Sequence, residues 1–210
     1  VNLQPARSST ITGTEEIAIS DQARLSIRFN GTELQFGPQS FIQTNHEIAE
    51  KLYAAAGRLL GEQDAKNVLD LYCGAGAFSL TAGSDMNSVV GIDRSEDAIA
   101  CASEVARQQN RNNALFRCRG LDQLTADELA AHNFDTVICN PPRRGLDSAS
   151  VNLIQTLRPR LLVYSSCNPV TLHRDVQLLA PGYAVSQLQP FDMFPFTQHF
   201  EALALLLRQE

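Results

Sequence analysis

The chain has 210 residues, of which 44% are hydrophobic, and its formal net charge is −6. This length supports one α/β domain with a full core and a small additional piece. The acidic balance excludes a generally basic nucleic-acid binder, so an RNA partner would need a local basic patch or another module. There is no signal peptide and no apolar run of transmembrane length, so no membrane partner is expected.

The five cysteines, at positions 73, 101, 118, 139 and 167, include no C-x-x-C pair. Neither a zinc site nor an iron–sulfur cluster is therefore predicted within this sequence, and no metal ligand is assigned. Their odd number, at positions typical of buried side chains, suits a reducing cytoplasm. The chain begins with Val1 rather than methionine, so we expect it to be a part of a longer protein.

Residues 1–40 are predicted to form a small β-rich appendage. Residues 17–20 and 25–29 alternate between apolar and polar types, as short antiparallel strands do. Asn30-Gly31 is a strong hairpin turn signal, and Thr32–Phe36 continues the alternation after it. The pattern does not indicate what this appendage does.

The remaining residues, 41–210, are predicted to form one catalytic domain. A helix is expected from about His46 to Leu60, with Asn45 as its N-cap. Beyond Lys66 strands and helices alternate, which predicts a doubly wound parallel sheet with helices on both faces. The seven predicted strands are 67–72, 88–93, 114–118, 135–140, 161–165, 183–189 and 200–207, with the last one inserted antiparallel.

Residues 67–80, NVLDLYCGAGAFSL, are the centre of the predicted ligand site. A buried strand enters a helix through a glycine-rich turn, which presents backbone N–H groups to a nucleotide-like ligand. Gly74 and Gly76 are expected to let the backbone approach that ligand without an intervening Cβ. Ser79 replaces the third glycine of the dinucleotide fingerprint, which disfavours a nicotinamide cofactor.

One further residue points to the same ligand, and two others are candidates at the same edge. Asp93 ends the next apolar run, where an acid commonly hydrogen-bonds ribose hydroxyls, and with the glycine turn it predicts adenosine binding. The alternative is that Asp93 caps the following helix. Tyr72 stands at the end of the first strand of the sheet. Gln43 is an amide between apolar neighbours just before a helix, for which a turn residue is the alternative.

Polar residues also follow the fourth and fifth strands of the predicted sheet. Asn140 precedes two prolines that fix φ and remove two backbone donors, so its amide would be held where it can contact a cofactor or a base. A plain proline-rich turn is the alternative. Cys167 lies in a polar turn before a helix, an environment expected to favour the thiolate of a nucleophile, with an inert thiol as the alternative.

Glu201 begins a very apolar strand, where partial burial would raise its pKa and suit it to act as a general base. The alternative is an exposed charge at the end of a strand. His199 fits a hydrogen-bonding role better than a metal-binding one, because no other ligand stands at metal-site spacing.

Together these residues resemble the motifs of the RNA uracil-C5 methyltransferases. The matching segments are Phe41–Asn45, Asp70–Gly76, Asn140–Gly145, Ser166–Pro169 and Phe191–Glu201, in the expected order. Most of that family has Asp where Asn140 stands, and an Asn there is similar to the branch that acts on 23S rRNA. The resemblance implies a seven-stranded Rossmann-like methyltransferase sheet and S-adenosylmethionine-dependent formation of 5-methyluridine in 23S rRNA.

The resemblance also implies roles for individual residues. Cys167 would be the nucleophile that bonds to C6 of uracil, and Glu201 the base that removes the C5 proton. The cofactor would contact Gln43, Tyr72, Asp93 and Asn140, beside the glycines at 74 and 76. Arg143 and Arg144 would contact RNA phosphate or a uracil oxygen, with a solvated turn as the alternative. Members of that branch hold a 4Fe-4S cluster in an N-terminal region that this sequence does not include.

Three other functions remain open at this stage. The target could be a tRNA uridine, or an amine or small molecule, although Arg143 stands where amine-specific enzymes carry an aromatic residue that stacks on the flipped base. Alternatively, the chain holds the cofactor and needs its N-terminal region to bind RNA or to act. A monomer is the working expectation.

Overall fold

The computed structural model describes residues 2–3, 15–17, 19, 24–83 and 85–209. The strands are β1 (Asn2–Leu3), β2 (Glu15–Glu16), β3 (Leu25–Phe29), β4 (Thr32–Phe36), β5 (Asn67–Leu71), β6 (Ser88–Asp93), β7 (Ala114–Cys118), β8 (Thr136–Cys139), β9 (Leu161–Ser166), β10 (Tyr183–Phe191) and β11 (Glu201–Arg208). The helices are α1 (His46–Glu62), α2 (Ala77–Thr81), α3 (Glu96–Gln108), α4 (Ala126–Ala130), α5 (Ser148–Leu157) and α6 (Pro169–Leu179), with a 3₁₀ turn at Leu121–Gln123.

A seven-stranded sheet with the order β10-β11-β9-β8-β5-β6-β7 forms the centre of the fold. Strand β11 is antiparallel to both of its neighbours, and the other neighbouring pairs are parallel. The predicted α/β sheet is therefore confirmed, including the antiparallel position of the last strand inside it. The observed strands differ from the predicted ones by at most two residues at either end.

Hydrophobic side chains cover both faces of the inner strands β11, β9, β8, β5 and β6, which explains why these strands read as nearly continuous apolar runs. Helices α1, α2 and α3 pack on one face, and α4, α5 and α6 pack on the other. Successive residues alternate between these layers, so Val68 points into the first and Leu69 into the second, both fully buried. Among the described residues, no helix combines the length and the hydropathy that a bilayer-spanning segment needs.

The predicted hairpin is confirmed, with β3 and β4 paired antiparallel and positive φ at both Asn30 and Gly31. Its buried side chains belong to the same core layer as α1, and the Phe29 ring meets Tyr53 edge to face at 5.5 Å. The expected strand at 17–20 is not confirmed: Ile17 and Ile19 are not in a strand, and residues 18 and 20 lie outside the described residues. A domain division at residue 40 stays a prediction.

The sheet topology determines where a site can form. The carboxyl ends of the parallel strands share one edge of the sheet, and the reversed β11 brings its first residue to that same edge. Helix α1 begins beside this edge, where the Asn45 side chain accepts a hydrogen bond from the Ile48 N–H at 3.3 Å, as predicted for its N-cap.

Candidate active site

A cavity of about 600 Å³ opens at this edge of the sheet. Eight of the ten predicted site residues line it: Gln43, Tyr72, Gly74, Asp93, Asn140, Arg143, Cys167 and Glu201. The apolar part of its wall includes the rings of Phe41, Phe78 and Phe194. Gly76 and Arg144 are the two predicted residues that are not part of the lining.

The glycine turn forms one wall of the cavity. Left-handed backbone occurs three times within it, with φ of 61° at Tyr72, 54° at Gly74 and 78° at Gly76. A Cβ built on Gly74 would meet no atom within 4 Å, so the backbone there faces open space, as predicted.

Gly76 has a different role from the predicted one. A Cβ at this position would lie 3.1 Å from side-chain atoms of Leu80, Ala102 and Phe116, so its hydrogen faces the core between α2 and α3. The residue is the left-handed N-cap of α2. Its absent side chain therefore allows close packing of the helix rather than close approach to a ligand.

Asp93 lines the cavity and also fixes the shape of the glycine turn. One carboxylate oxygen accepts a hydrogen bond from the Gly74 N–H at 3.0 Å, and the other accepts one from the Ser95 N–H at 2.9 Å. The alternative role as a helix cap is wrong, because the N-cap of α3 is Ser95, whose side chain accepts from Ala98 N–H.

Two amide side chains face the cavity without a partner. Gln43 is 6% exposed, and neither it nor Asn140 makes a side-chain hydrogen bond to any residue that the structure describes. Buried amides are normally paired, so the Gln43 amide in particular is available to a ligand with complementary donors and acceptors, and the half-buried Asn140 amide can join it. Tyr72 is half-buried, and its hydroxyl lies 2.6 Å from Ser150 Oγ, which fixes the ring at the cavity wall.

Asp70, in the strand that precedes the glycine turn, is a buried residue to which sequence reasoning assigned no role. Its carboxyl group is 0% exposed, and one oxygen accepts a hydrogen bond from Ser79 Oγ at 2.6 Å. The other oxygen has no partner among the described residues. Burial raises the pKa of Asp70 to about 7, the Ser79 bond opposes that shift, and the nearby Asp93 charge adds to it.

Strand register brings the predicted nucleophile and the predicted base together. Ala202 of β11 pairs with Ser166 of β9 in the last pair of their antiparallel ladder, so Glu201 and Cys167 lie at the same end of the two strands. Burial raises the pKa of the Cys167 thiol, and the charge of Glu201 acts on the same thiol and raises its pKa further. Both side chains line the cavity.

The alternative of an exposed charge at Glu201 is wrong, since the side chain is 1% exposed. Ser165 Oγ donates a hydrogen bond to its carboxylate at 2.6 Å. Burial raises the pKa of Glu201 to about 7, and the bond from Ser165 opposes the shift. A carboxylate with this pKa is suited to accept a proton near neutral pH, as predicted from its place in the strand.

Cys167 is partly buried, and its expected thiolate-favouring environment is not observed. Burial raises its pKa and the Glu201 charge raises it further, while a hydrogen bond from Arg143, the charge of Arg143 and a hydrogen bond to the Cys167 backbone lower it. The following helix does not compensate, because Pro169 has no N–H and the Val170 N–H is taken by the Asn168 side chain at 3.0 Å. Arg143 is therefore the group that favours the thiolate.

Hydrogen bonds to its backbone hold Arg143 beside Cys167, the predicted nucleophile. Its carbonyl accepts bonds from Asn168 Nδ2 at 3.1 Å and from Thr171 Oγ1 at 3.2 Å, which join the loop after β8 to the start of α6. Its guanidinium Nη2 lies 3.2 Å from His199 Nδ1, so His199 is a hydrogen-bonding partner, as expected. Arg144 is exposed, and its carbonyl accepts a bond from Arg174 Nη2 at 2.9 Å.

Asp175, a residue of α6 to which the sequence analysis assigned no role, anchors the same loop. The carboxylate is 0% exposed and accepts bonds from the Tyr164 hydroxyl at 2.6 Å and the Leu146 N–H at 2.7 Å. Arg174 donates to its other oxygen. A Cβ on Gly145 would clash with this carboxylate at 2.3 Å, which explains the glycine at that position.

Residues 18–209 match the sequence profile of the tRNA (uracil-5-)-methyltransferase family. The chain belongs to this family. Among its relatives is the 23S rRNA (uracil(747)-C(5))-methyltransferase RlmC of Shewanella amazonensis, which is 39% identical over 209 residues, covering 100% of this chain and 54% of that protein. The protein of the same name from Shewanella oneidensis is 38% identical over 208 residues, covering 99% of this chain and 54% of that protein.

Solved structures agree with this assignment. The tRNA (uracil-54, C5)-methyltransferase of Pyrococcus abyssi, in complex with S-adenosyl-L-homocysteine, superposes with a TM-score of 0.81 at 31% identity, covering 96% of this chain and 49% of that one. The magnesium protoporphyrin IX methyltransferase of Synechocystis shares the fold alone, with a TM-score of 0.62 at 17% identity. The chain spans about half the length of the curated relatives that it matches.

Proposed function

We propose that this chain is the catalytic part of an S-adenosylmethionine-dependent RNA uracil-C5 methyltransferase acting on 23S rRNA. The observation that carries the proposal is that Cys167 and Glu201, at the same end of β9 and β11, line one cavity together with the glycine turn. A methyltransferase that acts on an amine needs neither a thiol nor a buried base at this place. Uracil C5 needs both, because it is a poor nucleophile until a group has added at C6.

The residues present fit the cofactor. Open space above Gly74 leaves room for a ligand against the backbone, and the unpartnered Gln43 and Asn140 amides can hydrogen-bond it. Asp93 is placed for ribose hydroxyls, and the half-buried Tyr72 ring for the adenosine. S-adenosylmethionine bound there would supply an electrophilic methyl group.

The protein groups then carry out the proton and bond changes. Arg143 stabilises the Cys167 thiolate, whose sulfur bonds to uracil C6 and moves the ring electrons onto C5 and O4. Once C5 carries the methyl group, Glu201 removes the remaining C5 proton. The C5–C6 double bond re-forms, the carbon–sulfur bond breaks, and the thiolate is regenerated. The target base must leave its stack to reach this cavity.

A mass measurement on a trapped complex tests the proposal. Replacing the target base with 5-fluorouracil leaves Glu201 no proton to remove, so incubation of the chain with cofactor and RNA should give a stable adduct of protein, RNA and methyl group on Cys167. The variant Cys167→Ala should form none. Cys118→Ala is the matched control, because that exposed thiol bonds to the Arg94 carbonyl at 3.4 Å and does not line the cavity.

An adduct that persists in Cys167→Ala would reject the assigned nucleophile. Cofactor binding without an adduct in the parent chain would favour the alternative in which this part holds the cofactor and depends on the rest of the protein for RNA. The specific nucleotide, uridine 747 by the name of the relatives, is part of the same proposal. It is tested by mapping the methylated position in 23S rRNA.

A further inference from the structure

Phe196 is the most exposed large hydrophobic residue of the part of the chain that the structure describes, with a relative exposure of 107%. It lies in the segment between β10 and β11, which contributes to the cavity wall. Phe194, two residues earlier, belongs to the cavity wall, and His199, three residues later, contacts Arg143. The exposed ring of Phe196 therefore belongs to the same segment as residues that line the cavity or contact Arg143.

The backbone at Phe196 is strained. The Thr197 N–H donates to the Phe194 carbonyl at 3.2 Å, closing a four-residue turn with Pro195 second and Phe196 third. The φ of Phe196 is 67°, the sign required at the third position of a type II turn. That position favours Gly or Asn, and a bulky side chain with positive φ is an outlier. Full exposure means that little packing offsets the strain.

Hydrogen bonds keep this turn in one shape. Thr197 Oγ1 donates to the Phe194 carbonyl at 2.7 Å, and the His199 N–H donates to Thr197 Oγ1 at 3.1 Å. The Phe194 and His199 rings meet edge to face at 6.4 Å. The Phe196 ring is thus presented outwards by an ordered turn, and strain that persists in an ordered segment points to a functional role.

We propose that Phe196 is a platform on which an RNA base next to the target uridine stacks. The inference rests on the proposed function, because a uridine that enters the cavity leaves an unstacked neighbour at its mouth. Aromatic side chains commonly stack on bases splayed out of single-stranded RNA. The formal charge of −6 gives this chain little long-range attraction for RNA, so stacking and local contacts by Arg143 would carry much of the affinity.

Fluorescence titration of the parent chain and of two variants tests this platform. The probe is a 23S rRNA fragment containing uridine 747, with 2-aminopurine at an adjacent nucleotide so that stacking changes its emission. Phe196→Gly should weaken binding about fivefold or more, the lower limit for losing one stacked base, and should abolish the emission change. Phe196→Tyr should keep both.

Two controls separate stacking from other effects. Phe196→Gly should melt at the same or a higher temperature than the parent, since glycine accepts positive φ. Leu188→Ala removes another exposed apolar side chain, 60% exposed on the edge strand β10, and should leave RNA affinity unchanged.

Different results would contradict the stacking role of Phe196 and the proposed function. If the parent forms the 5-fluorouracil adduct while Phe196→Gly binds RNA as tightly as the parent does, the platform is wrong and the function stands. If the parent neither binds this RNA nor forms an adduct, both are overturned for this chain. Equal weakening by Phe196→Gly and Phe196→Tyr would also reject stacking.

Discussion

The regions around Asp70 and Glu201 hold two buried carboxyl groups in nearly the same electrostatic setting. Their exposures are 0% and 1%, and each accepts one hydrogen bond of 2.6 Å from a serine. Burial raises the pKa of each group to about 7. Only Glu201 lines the cavity. A shifted pKa therefore marks both groups as candidates, and access to the substrate space selects one of them.

The Asp70 region is a structural support. Its serine partner, Ser79, lies on α2, so the bond joins β5 to the helix that follows the glycine turn. The Glu201 region is held by a bond within the sheet, because Ser165 and Glu201 lie on the neighbouring strands β9 and β11. The first bond supports the wall formed by the glycine turn, and the second orients the carboxylate that we propose as the proton acceptor.

Replacing each carboxyl group with an amide should separate these roles. The loss of turnover in the Glu201 variant is the largest effect that we expect. Glu201→Gln removes the proton acceptor without changing the size of the side chain, so turnover should fall by about 10²–10⁴-fold and the methylated RNA adduct should accumulate. Asp70→Asn should accumulate none, whatever it does to cofactor affinity. Gel analysis of covalent complexes measures both, and adduct build-up in Asp70→Asn would break the contrast.

Arginine substitutions test whether the charge of Arg143 offsets the effect of the Glu201 charge on the pKa of Cys167. Arg143→Ala removes the group that lowers the pKa of Cys167, so the rate of adduct formation at pH 7 should fall about tenfold for each unit by which that pKa rises. The loss should diminish at higher pH. Arg144→Ala, a change of the neighbouring exposed residue, should leave the pH profile unchanged.

A loss of rate in Arg143→Ala that is the same at every pH would instead assign Arg143 to RNA contact alone. The measurement is a single-turnover pH series with the parent and both variants.

The smallest predicted effect is on the pH dependence of stability. Both carboxyl groups have a higher pKa in the folded chain than in the unfolded chain, from 3.8 for Asp70 and 4.5 for Glu201 to about 7. The folded state keeps these protons longer, so the free energy of unfolding should fall as pH rises from about 4 to about 7. Glu201→Gln should remove the contribution of Glu201 to that fall in the free energy of unfolding, which is on the order of 3 kcal/mol at most.

Denaturant unfolding of the parent and the variant across this pH range checks the prediction. Asp70→Asn should flatten the curve in a similar way, because the two regions are alike in electrostatics and differ in access. Parallel curves for parent and variants would show that neither pKa is raised in the folded chain.

Much of this architecture could be predicted from the sequence because it depends on local patterns. Apolar runs, glycines and the Asn30-Gly31 turn identified the strands and the hairpin, and short motifs placed eight of the ten candidate residues on one cavity. Features that depend on distant pairing could not be read locally. Asp175, to which no role was assigned from the sequence, is buried against Tyr164 and the loop after β8.

The environment of Cys167 shows the same limit. A polar turn before a helix predicted a favoured thiolate, but the Asn168 cap and the charge of Glu201 oppose that effect. The cap is a local contact, whereas the approach of Glu201 depends on strand pairing that the local sequence does not show. Gly76 was assigned to ligand approach because motif spacing does not show which way a missing Cβ points.

The reversed direction of β11 determines which changes of chain length the active site should tolerate. The spacing between Cys167 and Glu201 depends on the β9–β11 register and not on the segment 192–200 that enters the strand. Extra residues in that segment would leave the spacing intact, whereas one inserted within β11 would turn every following side chain to the opposite face. A protein built this way can remodel the surface that meets its substrate while the bond-making pair stays in place.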